Sequence, residues 1–245
     1  DQGCALVIRH LGELPAADQE RLRAFAVEYG FIIYLQSGGP DTVRPFWPVN
    51  PRLTYTLADW QIENEFLPAD FTQVNAQINV AMIRLALAQL ELTPDEQVLE
   101  LYCGLGNFTL PIARHAAHVV AVEGEAGLIA RARANAGRNG INNVTYCVQD
   151  LNEVNHHDSW NQPGRYQKVL LDPPRTGAIA AVGALGKLAA ARIVYVSCNP
   201  ATLARDAAVL VHEQGYMLRK AGVLDMFPHT AHVESIAVFD STSSP

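Results

Sequence analysis

The stretch V-L-E-L-Y-C-G-L-G-N-F-T-L-P-I-A, residues 98–113, decides the fold of this 245-residue chain. Its first five residues form a short, mostly apolar run that is typical of a buried β-strand. Gly104 and Gly106 follow, and glycines at these positions let the backbone turn tightly and approach a ligand. The next residues have a helical pattern, and we expect the first N–H groups of that helix to face the ligand. The stretch therefore predicts the first strand, turn and helix of a ligand-binding α/β sheet.

The rest of the chain after residue 74 continues the same alternation. A helix is predicted from Val74 to Leu90, and short apolar runs then alternate with helical segments. This rhythm predicts a doubly wound, mostly parallel sheet. The last strand (232–239) is predicted to be antiparallel, in a hairpin after 215–225. The apolar runs predicted to be strands are 98–102, 119–123, 144–148, 168–172, 193–197 and 235–239.

The first part of the chain has a different organisation. We predict a small, partial α+β subdomain over 1–66 and a second domain over 67–245. Pro15 in the first turn and Gly30 after Tyr29 are typical helix boundaries. The segments predicted within the subdomain are a strand at 4–9, a helix at 15–29, a strand at 31–36, a loop at 37–51 and a hairpin-like region at 53–66.

Composition excludes several classes of protein. Hydrophobic residues make up 49% of the chain and charged residues 18%, which is enough apolar material for a core and excludes a disordered or low-complexity chain. No apolar run reaches the roughly 18 residues of a membrane span, and no signal peptide is recognised. We therefore expect no membrane partner. Because the four cysteines are few and far apart, we expect free thiols in a reducing, cytoplasmic compartment, and we expect a monomer.

The charge balance bears on possible nucleic-acid partners. The net charge is −7, which is the wrong sign for binding nucleic acid through bulk electrostatics alone. A local basic cleft stays possible, and DNA is not expected as a partner. Arg175 and Arg205 are candidates for phosphate contacts, and a surface or helix ion pair is an equal alternative for both.

The cysteines and histidines do not predict a metal site. Cys4, Cys103, Cys147 and Cys198 lie far apart without a C-x-x-C pair, so neither a zinc or iron–sulfur site nor a disulfide framework is expected. His229 and His232 lack a third ligand at a suitable spacing, and we expect no metal. The chain begins with Asp and opens directly into an apolar run, so we expect a piece of a longer protein.

The glycine turn favours one cofactor over another. Thr109 stands where a dinucleotide fingerprint would have its third glycine, which packs the helix near the pyrophosphate. S-adenosylmethionine has no pyrophosphate, and we favour it over NAD. Glu123 ends the second strand, where a carboxylate can accept hydrogen bonds from ribose hydroxyls. Asp150 ends the third strand region and could face an adenine edge.

Two further turns carry reactive or rigid groups at the predicted ligand edge. Asp172-Pro173-Pro174-Arg175 follows the fourth strand, and its two prolines fix the backbone. Similar turns in methyltransferases hold a target amine, so the turn alone permits N-methylation. Cys198 follows the fifth strand. A thiol there is a nucleophile if its pKa is lowered, although a lone cysteine at such a turn is more often an inert apolar residue.

Four motifs together carry a family resemblance. They are L-Y-C-G-L-G-N-F-T-L, L-D-P-P-R-x-G, Y-V-S-C-N-P-A-T-L-A-R-D and D-M-F-P-H-T-A-H-V-E-S, and D-F-T-Q-V-N at 70–75 precedes them. In this order they resemble the RNA uracil-5-methyltransferases, and among these the bacterial 23S ribosomal RNA enzymes. The resemblance covers nearly the whole chain. It implies a Rossmann-like class I methyltransferase sheet and S-adenosyl-L-methionine as cofactor. It also implies RNA as partner, with 23S ribosomal RNA as the preferred substrate.

The resemblance also implies roles for single residues. Cys198 of S-C-N-P is the implied nucleophile, and Glu234 of H-V-E-S is the implied general base. Asp172 has a less settled role, at the cofactor, at the target base or at both. The implied cofactor contacts are Gln73, Tyr102, Gly104, Asn107, Glu123, Asp150 and Asp172.

The chain departs from the family pattern in two respects. The ribosomal enzymes carry an N-terminal RNA-binding β-barrel and a four-cysteine iron–sulfur cluster, and this chain contains neither. Three alternatives therefore stay open beside ribosomal uracil: a tRNA uracil, an N-methyltransferase that uses the Asp-Pro-Pro turn, and a fragment that binds cofactor without turnover.

Overall fold

The computed structural model describes residues 3–155 and 157–242. The chain divides into two compact units. The first runs to Thr56 and includes Glu63–Thr72, and the second comprises Leu57–Ile62 and the chain from Gln73 onward. The predicted boundary between residues 66 and 67 stays a prediction.

The first unit is built on a three-stranded sheet. Helix α1 starts after Pro15 and ends where Gly30 adopts a left-handed conformation with φ of 69°, as its sequence predicts. Strands β1 and β2 are parallel, and β3 pairs antiparallel with β2. The elements are β1 (Cys4–Arg9), α1 (Ala16–Tyr29), β2 (Phe31–Gln36) and β3 (Val43–Trp47).

Strand β3 corrects one prediction, because residues 37–51 are not a continuous loop. β-branched and aromatic residues favour strand geometry. The strand contains three of them, Val43, Phe46 and Trp47, and all three are partly buried. Strand β3 lies at the edge of the sheet and pairs with β2 alone. Pro45 is tolerated there because an edge strand has no neighbour on its other side that needs an N–H donor. The prolines and glycines around it concealed the strand.

The second unit is built on a seven-stranded sheet. Its strands are β6 (Gln97–Leu101), β7 (His118–Glu123), β8 (Val144–Val148), β9 (Lys168–Leu171), β10 (Arg192–Ser197), β11 (Tyr216–Leu224) and β12 (Glu234–Ser241). Its helices are α2 (Ala76–Leu90), α3 (Thr109–Ala113), α4 (Ala126–Arg138), α5 (Ile179–Leu188) and α6 (Pro200–His212). A separate two-stranded sheet is formed by β4 (Leu53–Leu57) and β5 (Ile62–Phe66), and most residues of these two strands belong to the first unit.

The sheet has the strand order β11-β12-β10-β9-β6-β7-β8. Strands β6 to β10 are mutually parallel, and β12 is antiparallel to both of its neighbours. The central strands are buried, as in 169–171 and 193–196, because helices cover both faces of such a sheet. The predicted mostly parallel sheet with an antiparallel last strand is confirmed.

Candidate active site

Side chains from six strands meet at one edge of the seven-stranded sheet. The five parallel strands all end there, and the antiparallel β12 begins there. Ligands of open α/β sheets bind at this carboxyl edge. The candidate residues at or just beyond the strand ends are Tyr102, Glu123, Asp150, Asp172, Cys198 and Glu234.

Cys198 lies between the last residue of β10 and the first turn of α6. Asn199 is the N-cap of α6, and its Oδ1 accepts a hydrogen bond from the Ala201 N–H at 3.1 Å. Pro200 occupies the first helical position, where its missing N–H costs nothing. Cap and proline together hold the thiol at a fixed position, where it is partly exposed.

Glu234 lies near the thiol, at the end of the ladder of β10 and β12. Ser197 and Ser235 are the last pair of this ladder, and the residues next to them are Cys198 and Glu234, whose charge acts on the thiol. The Glu234 side chain is buried. Burial raises the pKa of its carboxyl group, and the Arg175 guanidinium acts in the opposite direction.

The electrostatics of the thiol reflect three charged neighbours. Burial raises the pKa of Cys198, and the carboxyl groups of Glu234 and Asp172 raise it further. Arg175 lowers it. The thiol therefore favours its protonated form in the ligand-free site.

Asp172 starts a rigid turn beside these groups. Its N–H donates to the Leu101 carbonyl at 3.4 Å. Burial, followed by the charge of Glu234, raises the pKa of Asp172 to about 8. At the other end of the turn, one guanidinium nitrogen of Arg175 lies 3.1 Å from Nδ1 of His232. The turn thus supplies one carboxyl group and one exposed cation to the same edge.

The glycine turn and Glu123 form an acceptor site beside β6. One carboxylate oxygen of Glu123 accepts from the Gly104 N–H at 3.1 Å, and the other accepts from the Glu125 N–H at 3.2 Å. Gly104 has φ of 53°, and the position of its absent Cβ has no heavy atom within 4 Å. Helix α3, which follows the turn, has only five residues.

Asn107 is fixed by a partner that the sequence analysis missed. Its side-chain amide donates to Asn79 Oδ1 at 2.8 Å, and the Asn79 amide donates to Asn107 Oδ1 at 3.0 Å. Asn79 is buried in the first turns of α2. The same helix brings its N-cap region, which follows Gln73, close to the glycine turn.

The remaining candidates provide unsatisfied or exposed polar groups. Gln73 Oε1 is buried and has no hydrogen-bond partner among the described residues. Tyr102 has φ of 64°, and burial is the main cause of its raised pKa. The exposed Asp150 accepts from the N–H of Asn152 at 2.8 Å. S-adenosylmethionine carries amino, ribose and adenine groups. These groups fit the unpartnered amide oxygen of Gln73, the open space at Gly104 and the carboxylate of Glu123 beside it.

Asp206 is a second buried polar residue that the sequence analysis missed. Its Oδ2 accepts from the Ala178 N–H at 2.7 Å and from the Tyr195 hydroxyl at 2.6 Å. Asp206 shares a helix face with Leu203 and Leu210, which are also buried. A polar residue on the apolar face of a helix was the available signal, and Asn79 shows it too beside Met82.

Arg205 is not a free cation at the cleft. Its guanidinium donates to Asp206 Oδ1 at 2.7 Å and to the Thr176 carbonyl at 2.9 Å. Of the two alternatives for this residue, the internal ion pair is the one observed. Arg175 is exposed and contacts His232, so its predicted phosphate contact stays a prediction.

Outside this site, the described residues form a further cleft but no metal site or membrane-spanning helix. Within residues 3–155 and 157–242, no three His, Cys, Asp or Glu side chains form a possible metal site, and no helix is long and apolar enough to span a membrane. A shallow cleft lined by Asp59, Trp60, Gln61, Arg114 and His115 lies away from the carboxyl edge, and its lining includes no thiol.

The fold and the site together define a class of protein. A seven-stranded sheet of this order, with its ligand-facing loops at the carboxyl edge, is the Rossmann-like α/β sheet of class I methyltransferases. The family model of the tRNA (uracil-5-)-methyltransferases matches residues 52–241. The chain belongs to this family, as the resemblance predicted.

Curated relatives are similar over nearly the whole chain. The 23S rRNA (uracil(1939)-C(5))-methyltransferase RlmD of Xanthomonas oryzae is 53% identical over 240 residues, which are 98% of this chain and 54% of the relative. The enzyme of the same name from Nitrosococcus oceani is 54% identical over 243 residues, again 54% of its own length. The chain thus spans about half the length of these relatives.

Solved structures give the same class. The Pyrococcus abyssi tRNA (uracil-54, C5)-methyltransferase, in complex with S-adenosyl-L-homocysteine, aligns with a TM-score of 0.74 and 28% identity, over 96% of this chain and 55% of that one. M. jannaschii TYW2 in complex with AdoMet aligns with a TM-score of 0.62, over 86% of this chain and 93% of that one. At 15% identity the second likeness concerns the fold alone.

Proposed function

We propose that this chain is the catalytic region of an S-adenosylmethionine-dependent RNA methyltransferase that modifies C5 of a uracil through a covalent bond to Cys198. The observation that supports the proposal is the last pair of the β10–β12 ladder, Ser197 with Ser235, which brings Cys198 and Glu234 near each other at the ligand edge, where Asp172 also acts on the thiol. The family and the names of its curated relatives support uracil as the target.

Uracil C5 is too weak a nucleophile to take a methyl group directly. The enzyme must therefore supply a nucleophile of its own that activates the ring. The Cys198 thiol loses its proton to solvent, the resulting thiolate adds to C6, and the electron pair of the C5–C6 double bond moves to C5 as an enolate. S-adenosylmethionine, when bound, supplies an electrophilic methyl group for C5. Covalent addition thus divides one difficult step into two easier ones. The target base must be unpaired or flipped out to reach the thiol.

Glu234 completes the cycle as the general base. After methyl transfer, C5 still carries its original proton, and Cys198 cannot leave until a base removes it. Glu234 is buried beside the thiol, and its raised pKa makes it a stronger base than an exposed carboxylate. Removal of the proton restores the C5–C6 double bond and expels the thiolate.

We assign the cofactor contacts to the glycine turn and its surroundings. Glu123 has the position for the ribose hydroxyls, and the orphan oxygen of Gln73 can accept from the cofactor amine. Asp172 lies between the proposed cofactor and base positions and can contact either. The proposed set is Gln73, Tyr102, Gly104, Asn107, Glu123, Asp150 and Asp172.

The substrate and cellular setting are part of the proposal. The names of the curated relatives favour 23S ribosomal RNA over tRNA, and the family name keeps tRNA as the second substrate to test. We propose that the chain acts as a monomer in the cytoplasm, where bacterial ribosomal RNA is made. The iron–sulfur cluster implied for the longer enzymes is assigned to no residue of this chain.

Replacing the nucleophile tests the reaction class. RNA incubated with the chain and S-adenosylmethionine is digested and analysed by mass spectrometry, and we expect 5-methyluridine. Cys198→Ala should reduce the product to background and leave cofactor binding unchanged, whereas the exposed Cys4→Ala is the matched control. Methylation of a base nitrogen, or full activity of Cys198→Ala, would overturn the uracil-C5 proposal. Cofactor binding without any product would favour the fragment that binds but does not turn over.

Replacing the base tests the order of steps. Glu234→Gln blocks proton removal, so a covalent complex of protein and methylated RNA should accumulate and appear on denaturing gels. The exposed Glu213→Gln should give no such band. A Glu234→Gln protein with normal turnover would exclude Glu234 as the base.

A further inference from the structure

Two loops of the proposed site are joined through one backbone carbonyl. We define the nucleophile loop as residues 197–199 and the acidic turn as residues 172–177. The side-chain N–H of Asn199 donates to the carbonyl oxygen of Arg175 at 3.0 Å. The hydroxyl of Thr202 lies 3.2 Å from the same oxygen. The Asn199 amide is therefore the main donor from the first turn of α6 to the acidic turn, and the Thr202 hydroxyl shares its one proton between this oxygen and the Asn199 carbonyl.

Asn199 is itself held in place from several directions. Its backbone N–H donates to Ser197 Oγ at 3.1 Å, and the Ser197 hydroxyl reaches the Asn199 carbonyl at 3.1 Å. The Thr202 hydroxyl also lies 3.0 Å from that carbonyl. These bonds close around Cys198, so a shift of Asn199 would move the thiol.

We infer that Asn199 is a positioning residue whose side-chain amide holds the acidic turn against the nucleophile loop, so that Cys198, Arg175 and Asp172 keep fixed separations. The inference rests on the proposed function, since it assigns Asn199 a role in presenting the thiol to RNA. A misplacement of about 1 Å at reacting atoms can cost roughly 100-fold in rate.

The amide of Asn199 has two separable roles. Its Oδ1 caps α6 by accepting from Ala201, whereas its Nδ2 donates to Arg175. Asn199→Asp keeps the cap acceptor and adds a negative charge at a helix N-terminus, which is favourable. The same change removes the donor and sets a carboxylate oxygen against the Arg175 carbonyl. The variant therefore keeps the N-cap of α6 and loses the hydrogen bond from residue 199 to the Arg175 carbonyl.

The first test measures formation of the covalent RNA complex in the Glu234→Gln background. Adding Asn199→Asp should slow the complex roughly 10- to 100-fold, with unchanged cofactor affinity and an unfolding midpoint equal to or above that of the parent. Thr202→Val should also slow it, and Thr202→Ser, which keeps the hydroxyl, should restore the rate. This pair preserves the test if Asn199→Asp does not fold.

The second test needs no RNA and separates positioning from a purely structural role. Glu234, Asp172 and Arg175 are the charged groups that influence the thiol, and His232 contacts Arg175. The pH profile of Cys198 alkylation, followed by mass spectrometry of its peptide, should shift upward with Arg175→Ala. In the Asn199→Asp background the same replacement should shift it less, because Arg175 is no longer held near the thiol.

The outcomes distinguish this inference from the proposed function. No covalent complex with Glu234→Gln alone would count against the proposed function. A normal complex whose rate is unaffected by both Asn199→Asp and Thr202→Val would overturn the positioning role and leave the proposed function standing. Equal shifts from Arg175→Ala in both backgrounds would likewise overturn it.

Discussion

The thiol of Cys198 faces two carboxyl groups and one guanidinium, and the balance of these charges sets its reactivity. Burial raises its pKa first, Glu234 and Asp172 add to the rise, and Arg175 opposes it. Because only the thiolate is nucleophilic, we expect Cys198 in the free protein to react with iodoacetamide more slowly than glutathione at neutral pH. Its rate should keep rising at higher pH.

Removing one negative neighbour should reverse part of this effect. Glu234→Gln eliminates a charge that raises the thiol pKa, so alkylation of Cys198 at a fixed neutral pH should become faster. Peptide-level mass spectrometry separates Cys198 from the other cysteines. Slower alkylation of Cys198 in this variant would contradict the charge balance derived above.

The reciprocal amide pair of Asn79 and Asn107 gives a prediction about cofactor affinity. If Asn79 acts by orienting Asn107, Asn79→Ala should weaken S-adenosylmethionine binding by about fivefold, equivalent to about 1 kcal/mol for a lost hydrogen bond. Isothermal titration of the two single variants and the double variant decides the point. The double variant should bind no more weakly than Asn107→Ala, and an additive loss would mean that Asn79 acts independently.

Sequence motifs select the candidate residues but not their surroundings. Cys198 and Glu234 stand in separate motifs, and only the pairing of β10 with β12 brings them near each other. Three hydrogen bonds of the site join segments that are distant in the sequence. They are those of Asn79 with Asn107, of Ala178 with Asp206, and of Asn199 with the Arg175 carbonyl. Periodicity gives no distance between such segments, so these partners could not be predicted.

At the scale of elements, the acidic turn packs so closely against α6 that only glycine fits at position 177. Gly177 has φ of 77°, and a Cβ there would lie 2.6 Å from Arg205 Nη2 and 2.6 Å from Asp206 Oδ2. Gly177→Ala should therefore destabilise the protein by at least about 1–3 kcal/mol, from backbone strain alone. Urea unfolding measures the loss.

The matched control for this prediction lies in the next helix. Gly183 in α5 has no heavy atom within 4 Å of its absent Cβ, and alanine favours helix by about 0.5–1 kcal/mol over glycine. Gly183→Ala should be neutral or stabilising. Equal effects of the two replacements would show that α6 does not confine the turn.

The elements that the sequence predicted well are those with one dominant signal. Strands β9 and β10 are continuous apolar runs because both faces of the sheet are covered. Strand β3 was missed because Pro45 and the nearby glycines indicate a loop, although an edge position accepts proline. Helix α3 ends after five residues, and no local residue pattern revealed so short a length.

At the scale of the whole molecule, buried carboxyl groups set how stability depends on pH. Burial is the main cause that raises the pKa of Glu100 from 4.5 to about 8 and that of Asp172 from 3.8 to about 8. Between the ordinary pKa of each group and its raised value, the folded state binds more protons than the unfolded chain. The free energy of unfolding therefore falls as pH rises through this range. Glu100 is 1% exposed and sits on β6, so ionisation has no nearby water to compensate it.

Ion-paired carboxylates act at the other end of the pH range. Hydrogen bonding to Arg192 is the largest cause that lowers the pKa of Asp240, and Arg84 does the same for Asp59. Their contribution is present above the ordinary carboxyl pKa and is lost as pH falls through the lowered values. Both carboxylates are more accessible than Glu100, so solvent weakens their effect.

Stability in the ligand-free protein should therefore be highest on the acid side of neutrality, and it should decline from about pH 5 to pH 8. Glu100→Gln removes the buried ionisation and should flatten this decline by up to about 1.4 kcal/mol per pH unit. Urea unfolding at pH 5 and pH 8 measures the slope, with the exposed Glu213→Gln as control. A wild-type protein equally stable at both values, or a Glu100→Gln protein with an unchanged slope, would mean that the pKa of Glu100 is not raised by folding.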